Sequence, residues 1–292
     1  MTSKPRRGKA SLKAPSRDGR MRGTFTTAVA ERAIGVFDSG IGGLTVLKAL
    51  AAMLPHEDFI YLGDTARTPY GTKSADVIRR YTRENTEFIL AKGIKMLVIA
   101  CNTASAVALE EIARDTSVPV IGVIEPGARG AVRVSRSGKI GVIGTEATIA
   151  SGAYTAIIRR LRPGAEIYTR ACPILVPLVE EGWVDSDIAE RIVTYYLESL
   201  KVSGIDTLLL GCTHYPMLQD LIQRVVGSGV RIVDSASATA AAVRERLTAF
   251  KLRRTDGRGR QSFFVTEAPE RFVRVGRRFL GPQVESALRI ER

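Results

Sequence analysis

The 292-residue sequence predicts an α/β protein made of two pseudo-symmetric parallel-sheet domains. Two observations carry that prediction. Short, continuous Val/Ile/Leu runs alternate with helical stretches, and strands apolar on both faces belong to parallel sheets covered by helices on either side. The pattern also repeats. Ile34-Gly35-Val36 recurs as Ile140-Gly141-Val142, 106 residues later. Leu97-Val98-Ile99-Ala100-Cys101 recurs as Leu208-Leu209-Leu210-Gly211-Cys212, with the cysteines 111 apart. Intervals that agree this closely suggest duplicated halves, each with a cysteine where a buried strand ends. Ligands of open parallel sheets bind at the carboxyl ends of strands, so two facing halves could bring both thiols to one cleft.

In chain order, residues 33–37 read as the first strand, 38–43 as a Gly-rich turn and 44–54 as a helix. A second strand is expected over 58–62, followed by a polar loop over 63–71. Periodicity over 74–91 places Val77, Ile78, Tyr81, Phe88 and Ile89 on one helical face, with Gly93 where a C-cap belongs. A strand over 96–100, a helix over 104–114 and a strand over 118–123 follow. The pattern restarts at 139–143 and continues to a strand over 230–233 and a helix over 235–250.

Composition bounds the function. With 45% hydrophobic residues the chain has ample material for a core, and no run reaches the roughly 18 apolar residues of a membrane helix. The net charge of +13 is uneven: residues 1–30 hold eight Lys or Arg against one Asp, more than half of it. That segment has almost no large apolar residue and reads as a disordered tail without the apolar stretch of a secretory signal. A transit peptide, a true start at Met21 and a nucleic-acid arm stay open for it, although charge runs are more often solvated tails. Nucleic acid is therefore not an expected partner of the body. Three cysteines without CxxC spacing argue against a disulfide framework or a zinc site and for reduced thiols. Two histidines, His56 and His214, exclude mechanisms that need several imidazoles.

The chemistry-bearing residues cluster at predicted strand ends. Cys101-Asn102-Thr103-Ala104-Ser105 closes a strand and opens a helix. A thiol there sits near backbone N–H groups and the positive helix end, which favour thiolate, and Asn102 or Thr103 can cap the helix or bind an anion. Cys212-Thr213-His214-Tyr215-Pro216 has the same placement. A lone cysteine is more often a small buried hydrophobe, but that explanation weakens for a matched pair. Asp38-Ser39-Gly40-Ile41-Gly42-Gly43 is a third strand-end turn, with Asp38 a candidate helix cap. It is neither a dinucleotide fingerprint, since Thr45 replaces the last glycine, nor a P-loop. The 63–71 loop, with Tyr70 and Gly71, fits a binding loop or a surface connection. Glu180-Glu181 fits a functional carboxylate or, more usually, an exposed charged turn. Cys172 lies outside the repeat and reads as structural.

Five segments, in order, resemble the aspartate/glutamate racemase family: IGVFDSGIGGLTVL, YLGDTARTPYG, VIACNTASA, CPILVPLVEEG and LLLGCTHYPML. The resemblance spans about residues 33–250. It implies two α/β domains with the substrate in the cleft between them. The second domain, 126–234, would be inserted into a first made of 31–125 and 235–292. By the resemblance Cys101 and Cys212 are the acid/base pair. Asp38, Ser39, Tyr70, Gly71, Asn102, Thr103, Thr213 and His214 match substrate-binding positions, and Asp38, Glu180 and His214 match auxiliary polar groups. The implied reaction is racemisation of glutamate, needing neither pyridoxal phosphate nor metal, in the cytoplasm, with D-glutamate passing to peptidoglycan. Aspartate as substrate, a non-catalytic amino-acid binder and a cysteine hydrolase are the rival readings. A homodimer is one assembly open to such a chain.

Overall fold

The structure is a computed structural model that describes residues 28–291. In the first half, β1 (Ile34–Asp38) leads through the glycine turn into α1 (Leu44–Met53). β2 (Phe59–Gly63) leads through a loop and a 3-10 turn (Tyr70–Thr72) into α2 (Ala75–Leu90). β3 (Met96–Ile99) runs into α3 (Asn102–Asp115), and β4 (Val120–Gly122) into α4 (Ile124–Val134). The second half begins with β5 (Lys139–Gly144), α5 (Glu146–Ala150), α6 (Ala153–Leu161) and β6 (Glu166–Ala171). It continues with α7 (Leu175–Glu181), α8 (Asp187–Val202), β7 (Thr207–Gly211), a 3-10 turn (Tyr215–Leu218), α9 (Gln219–Val226) and β8 (Arg231–Asp234). The chain closes with α10 (Ser235–Ala249), β9 (Gln261–Val265), α11 (Pro269–Leu280) and β10 (Leu288–Arg289).

These strands form a six-stranded sheet, β10-β9-β2-β1-β3-β4, and a four-stranded sheet, β6-β5-β7-β8. Every strand pair is parallel. Adding four to each strand number maps β2-β1-β3-β4 onto β6-β5-β7-β8, so the halves share one topology. They also share register: Ile34 pairs with Met96, and Ile140 with Thr207, which are the residues 106 and 111 positions further on. The sequence repeat is therefore a structural one.

The central strands β1, β3 and β7 are buried along their whole length, as continuous apolar runs require. Each fully buried Val, Ile or Leu contributes roughly 1.5–3 kcal/mol relative to exposure. Helix α4 lays Ile124, Ala128 and Ala131 on Ile140, Val142 and Leu209 of the second sheet. Helix α10 returns to pack on α1. The chain thus crosses between the layers twice, after β4 and after β8.

Some elements differ from the sequence expectation. Helix α3 starts at Asn102 rather than 104, because Cys101 itself is the N-cap, its sulfur accepting from Ala104 N. β6 was not expected, because its six residues EIYTRA mix polar with apolar at a half-exposed edge and make no apolar run. The region after 250 supplies β9 beside β2 and the helix α11. The charged tail read over 1–30 lies outside the described residues up to 27. Residues 28–30 form a helical turn whose Ala30 carbonyl accepts from the buried Lys95 ammonium, which also binds Glu57 and the Leu252 carbonyl. That turn is anchored, contrary to the expectation for 1–30. Among the described residues no helix is long and apolar enough to cross a membrane.

Candidate active site

Strands β3 and β7 end at equivalent points, and each delivers a thiol. Cys101 is 5% exposed and Cys212 6%. All three cysteines are free. Around Cys101, the sulfur lies 3.4 Å from Ser39 Oγ and accepts from the Ala104 amide at 3.5 Å. The helix terminus and the hydroxyl pull toward thiolate, as the sequence suggested, but they lose. Burial, with the neighbouring Asp38 carboxylate and the Cys212 sulfur adding to it, pushes the Cys101 thiol up to about 12. The desolvation that makes the cleft dry outweighs two long hydrogen bonds.

Around Cys212 the partners are different. His214 Nδ1 stands 4.0 Å from the sulfur, and Nε2 lies 3.1 Å from Glu180 Oε1. Burial works against a charged imidazole, but Cys212 and Glu180 overcome it and lift His214 to about 10. Burial alone would raise Glu180, yet His214 and Arg271 hold its carboxyl below the ordinary range. Glu180 is not an exposed turn: its side chain is 11% exposed, against 64% for Glu181. It lies in the last turn of α7, whose apolar residues Leu175, Leu178 and Val179 are buried, and it stands beside His214.

The two thiol ends meet. Asp38, at the end of β1, is fully buried and accepts from Gly40 N at 2.9 Å and from Thr213 Oγ1, across the halves, at 3.5 Å. Burial raises its pKa, opposed by His214 and by the Gly43 and Gly40 amides. Asp38 is thus a turn and site carboxylate, while Gly43 occupies the N-cap of α1. Thr45 Oγ1 donates to the Thr213 carbonyl at 3.0 Å. Gly42 is packed so tightly against the second half that a Cβ would come within 2.4 Å of His214 Nδ1 and of Thr213 Oγ1. On the other flank, Thr103 Oγ1 meets Thr145 Oγ1 at 2.8 Å and Thr148 Oγ1 at 3.1 Å, and Gly71 packs on Thr145. Among the described residues, both polar atoms of the buried Asn102 amide lack a hydrogen-bond partner of good geometry. A buried amide left in that state is a handle for a ligand's polar groups.

Ser39, Asn102, Thr103, Thr213 and His214 therefore surround the thiols. Tyr70 packs in the same buried cluster as Cys101, but its hydroxyl is engaged elsewhere. Its hydroxyl is buried and donates to Asp64, whose carboxylate also accepts from Arg67 Nε at 2.8 Å, Asn85 Nδ2 at 3.2 Å and Thr266 Oγ1 at 3.0 Å. Asp64 is the anchor of the 63–71 loop, a role hidden in a polar run. Thr145, Thr148 and Arg271 were likewise missed; Thr145 sits at the end of β5 as Ser39 does at the end of β1, and the repeat could have flagged it. Cys172 is buried in the apolar core, its thiol raised to about 12 by burial, with Tyr215 donating to its carbonyl at 2.8 Å.

The thiols are closed over. Two concavities lie away from the thiols, one of about 670 Å³ between α4 and α10 and one of about 590 Å³ beside Arg67 and Arg289.

The chain resembles known proteins throughout this framework. It is 54% identical over 251 residues to a glutamate racemase of Geobacter metallireducens, covering 86% of this chain and 93% of that one. A glutamate racemase isoform of Bacillus anthracis superposes with a TM-score of 0.87 at 38% identity, over 90% of this chain and 98% of the other. The glutamate racemase of Francisella tularensis, solved in complex with D-glutamate, gives 0.84 at 37% identity, with the same coverage of 90% and 98%. Relatives at this similarity make the chain an isomerase of the racemase type. The Asp/Glu/Hydantoin racemase family model matches residues 34–243, most of the chain and both thiol ends, and the chain belongs to that family.

Proposed function

We propose that the chain interconverts L-glutamate and D-glutamate by passing the Cα proton between Cys101 and Cys212, without pyridoxal phosphate or metal. The observation that carries this reading is the thiol pair: two buried sulfurs at equivalent strand ends, each within the other's electrostatic reach. The relatives named above, one of them bound to D-glutamate, support glutamate as the substrate.

One thiolate takes the proton from one face of Cα. The electron pair stays on the substrate, delocalised into its carboxylate, and the other thiol delivers a proton to the opposite face. Two fixed groups avoid swinging one base through the substrate. Cys212, with an imidazolium beside it, acts on L-glutamate, and Cys101 on D-glutamate. Cys101 rests as the thiol, since burial and Asp38 oppose its charge. The substrate's ammonium, set against Asp38, cancels that carboxylate and brings the Cys101 thiolate within reach. Asn102, Thr103, Thr213 and Ser39 hold the substrate carboxylate where charge develops. Tyr70 and Gly71 contribute backbone, because the Tyr70 hydroxyl is held by Asp64. The active cleft would separate a unit of residues 31–125 plus 235–292 from one of 126–234. The setting proposed is the cytoplasm, with D-glutamate used for peptidoglycan and so for cell-wall biogenesis and cell shape.

The test is a circular-dichroism assay of purified protein on L-glutamate and L-aspartate without added cofactor. Glutamate should turn over far faster than aspartate. Comparable rates on both, or an internal-aldimine absorbance in active enzyme, would overturn the reading. In deuterated water the product should carry solvent deuterium from the first turnovers while unreacted substrate stays protiated; a single base would return part of the original proton.

A further inference from the structure

The Glu180 carboxylate is shared between the two halves. One oxygen faces His214 Nε2 at 3.1 Å, and the other accepts from Arg271 Nη1 at 3.0 Å. Arg271 stands on α11, in the layer of the first sheet, whereas Glu180 and His214 belong to the second half. The same guanidinium reaches Glu181 with Nη2 at 3.5 Å. Two turns further along α11, Arg278 donates to the Glu180 carbonyl at 3.2 Å. Gly182 makes that approach possible: its φ is +81°, and a Cβ there would lie 2.6 Å from Arg278 Nη1. Phe279 of the same helix stands edge-on to the His214 ring at 5.7 Å. Helix α11 thus grips the carboxyl end of α7, where the helix dipole favours cations.

We infer that Arg271 is a positioning residue for proton transfer at Cys212, acting by fixing Glu180, which fixes His214 against the sulfur. The inference rests on the reading of Cys212 as one of the two acid/base thiols. A carboxylate that orients an imidazole must itself be held, and a guanidinium fork holds a carboxylate oxygen in a defined direction. Among the described residues Cys101 has no counterpart to this relay; its polar neighbours include Ser39, Ala104 N and Asp38.

The charged groups around Glu180 set the direction of the pH effect. His214, with Cys212 on its far side, faces it from the turn after β7, Arg271 and Arg278 from α11, Asp38 from the end of β1, and Glu181 from its own helix. Without Arg271 the burial of Glu180 is opposed chiefly by His214. The carboxyl then takes up its proton at higher pH, and His214 loses its counter-charge. The fold has less at stake, because Arg271 is 40% exposed and surface ion pairs stabilise little.

The experiment compares the full chain with R271Q and R271K, measuring kcat and KM in both directions across pH. For R271Q we expect kcat/KM to fall about ten-fold, equally in both directions since enantiomers are equal in free energy, and the acid limb to move up by about one pH unit. R271K, a cation without the fork, should show a several-fold loss and a smaller upward move of the limb. A parent-like R271Q, or a rate loss with the acid limb unmoved, would overturn the inference. Should R271Q fail to fold, a parent-like R271K profile would do the same. A parent chain that does not racemise glutamate would instead sink the functional reading beneath it.

Discussion

At the end of β3 the thiol meets a hydroxyl; at the end of β7 it meets an imidazole. The backbones are copies, with the same strand order and register. The side chains diverge one and two residues after each cysteine. Asn102 and Thr103 occupy in the first half the places that Thr213 and His214 occupy in the second. Thr103 turns to the hydroxyls of Thr145 and Thr148, while His214 bridges Cys212 and Glu180. At the ends of the central strands, Asp38 in one half answers to Gly144 in the other. Duplication supplies the geometry, two strand ends directed at one closed site. Divergence supplies each thiol with its own polar partners, a hydroxyl for one and an imidazole for the other.

The comparison breaks most sharply at the sulfurs. Cys101→Ala and Cys212→Ala should each lower racemisation at least about 10³-fold in both directions, because each direction needs one base and one acid. The survivors should differ: the variant that keeps Cys212 should still wash solvent deuterium into L-glutamate, and the one that keeps Cys101 into D-glutamate, where the proton escapes. Cys172→Ala, outside the pair, should turn over like the parent. Near-parent racemisation by either active-site variant in the dichroism assay would end the two-thiol account.

The seam between the halves comes next. Gly42→Ala drives a methyl to 2.4 Å from both His214 Nδ1 and Thr213 Oγ1, so one half must move off the other. Overpacking of this kind costs about 1–3 kcal/mol. The accompanying misplacement of His214 should reduce kcat on the order of 10²-fold. Thermal melts and steady-state rates check both, and unchanged kinetics would show that the turn yields without disturbing the imidazole.

What could be read beforehand follows the same division. Buried parallel strands announce themselves as unbroken apolar runs, and the repeat aligned Cys101 with Cys212 before any coordinates. Edge strand β6 could not be read in that way, since one face is wet and its residues are mixed. Helix α11 is rich in arginine and looks like surface; its contacts with Glu180 lie 91 and 98 residues away in sequence and have no local signature. Asp64 was hidden for the same reason, since Thr266, one of its partners, comes 202 residues later. The functional site was legible where it repeats and opaque where it is held by tertiary contacts. The pull toward thiolate at Cys101 was read correctly in kind, but its defeat by burial depends on how completely the halves close.

On the hydroxyl side, Thr103→Val removes one corner of the Thr103–Thr145–Thr148 triangle without changing shape much. Two buried hydroxyls lose a partner, which costs about 1–2 kcal/mol. Because Thr103 is proposed to hold substrate, KM should rise more than kcat falls. The reverse pattern would move Thr103 from binding to chemistry.

The smallest effect separates the imidazole end by its charge. His214 is raised from 6.5 to about 10 in the folded chain, by Cys212 and Glu180 against the opposing effect of burial. Between those values the folded state holds a proton that the unfolded state has released. Stability from this group is therefore fully present at and below pH 6.5 and is lost as pH rises toward 10. The melting temperature of the parent should exceed that of His214→Asn by its largest margin near pH 6.5, and the margin should shrink steadily to pH 10. Other titrations cancel to first order in the difference, apart from Cys212 and Glu180, which touch the ring. A margin that stays flat across this window would mean that His214 is neutral in the folded chain. The asymmetry between the two ends would then have to arise only when substrate binds.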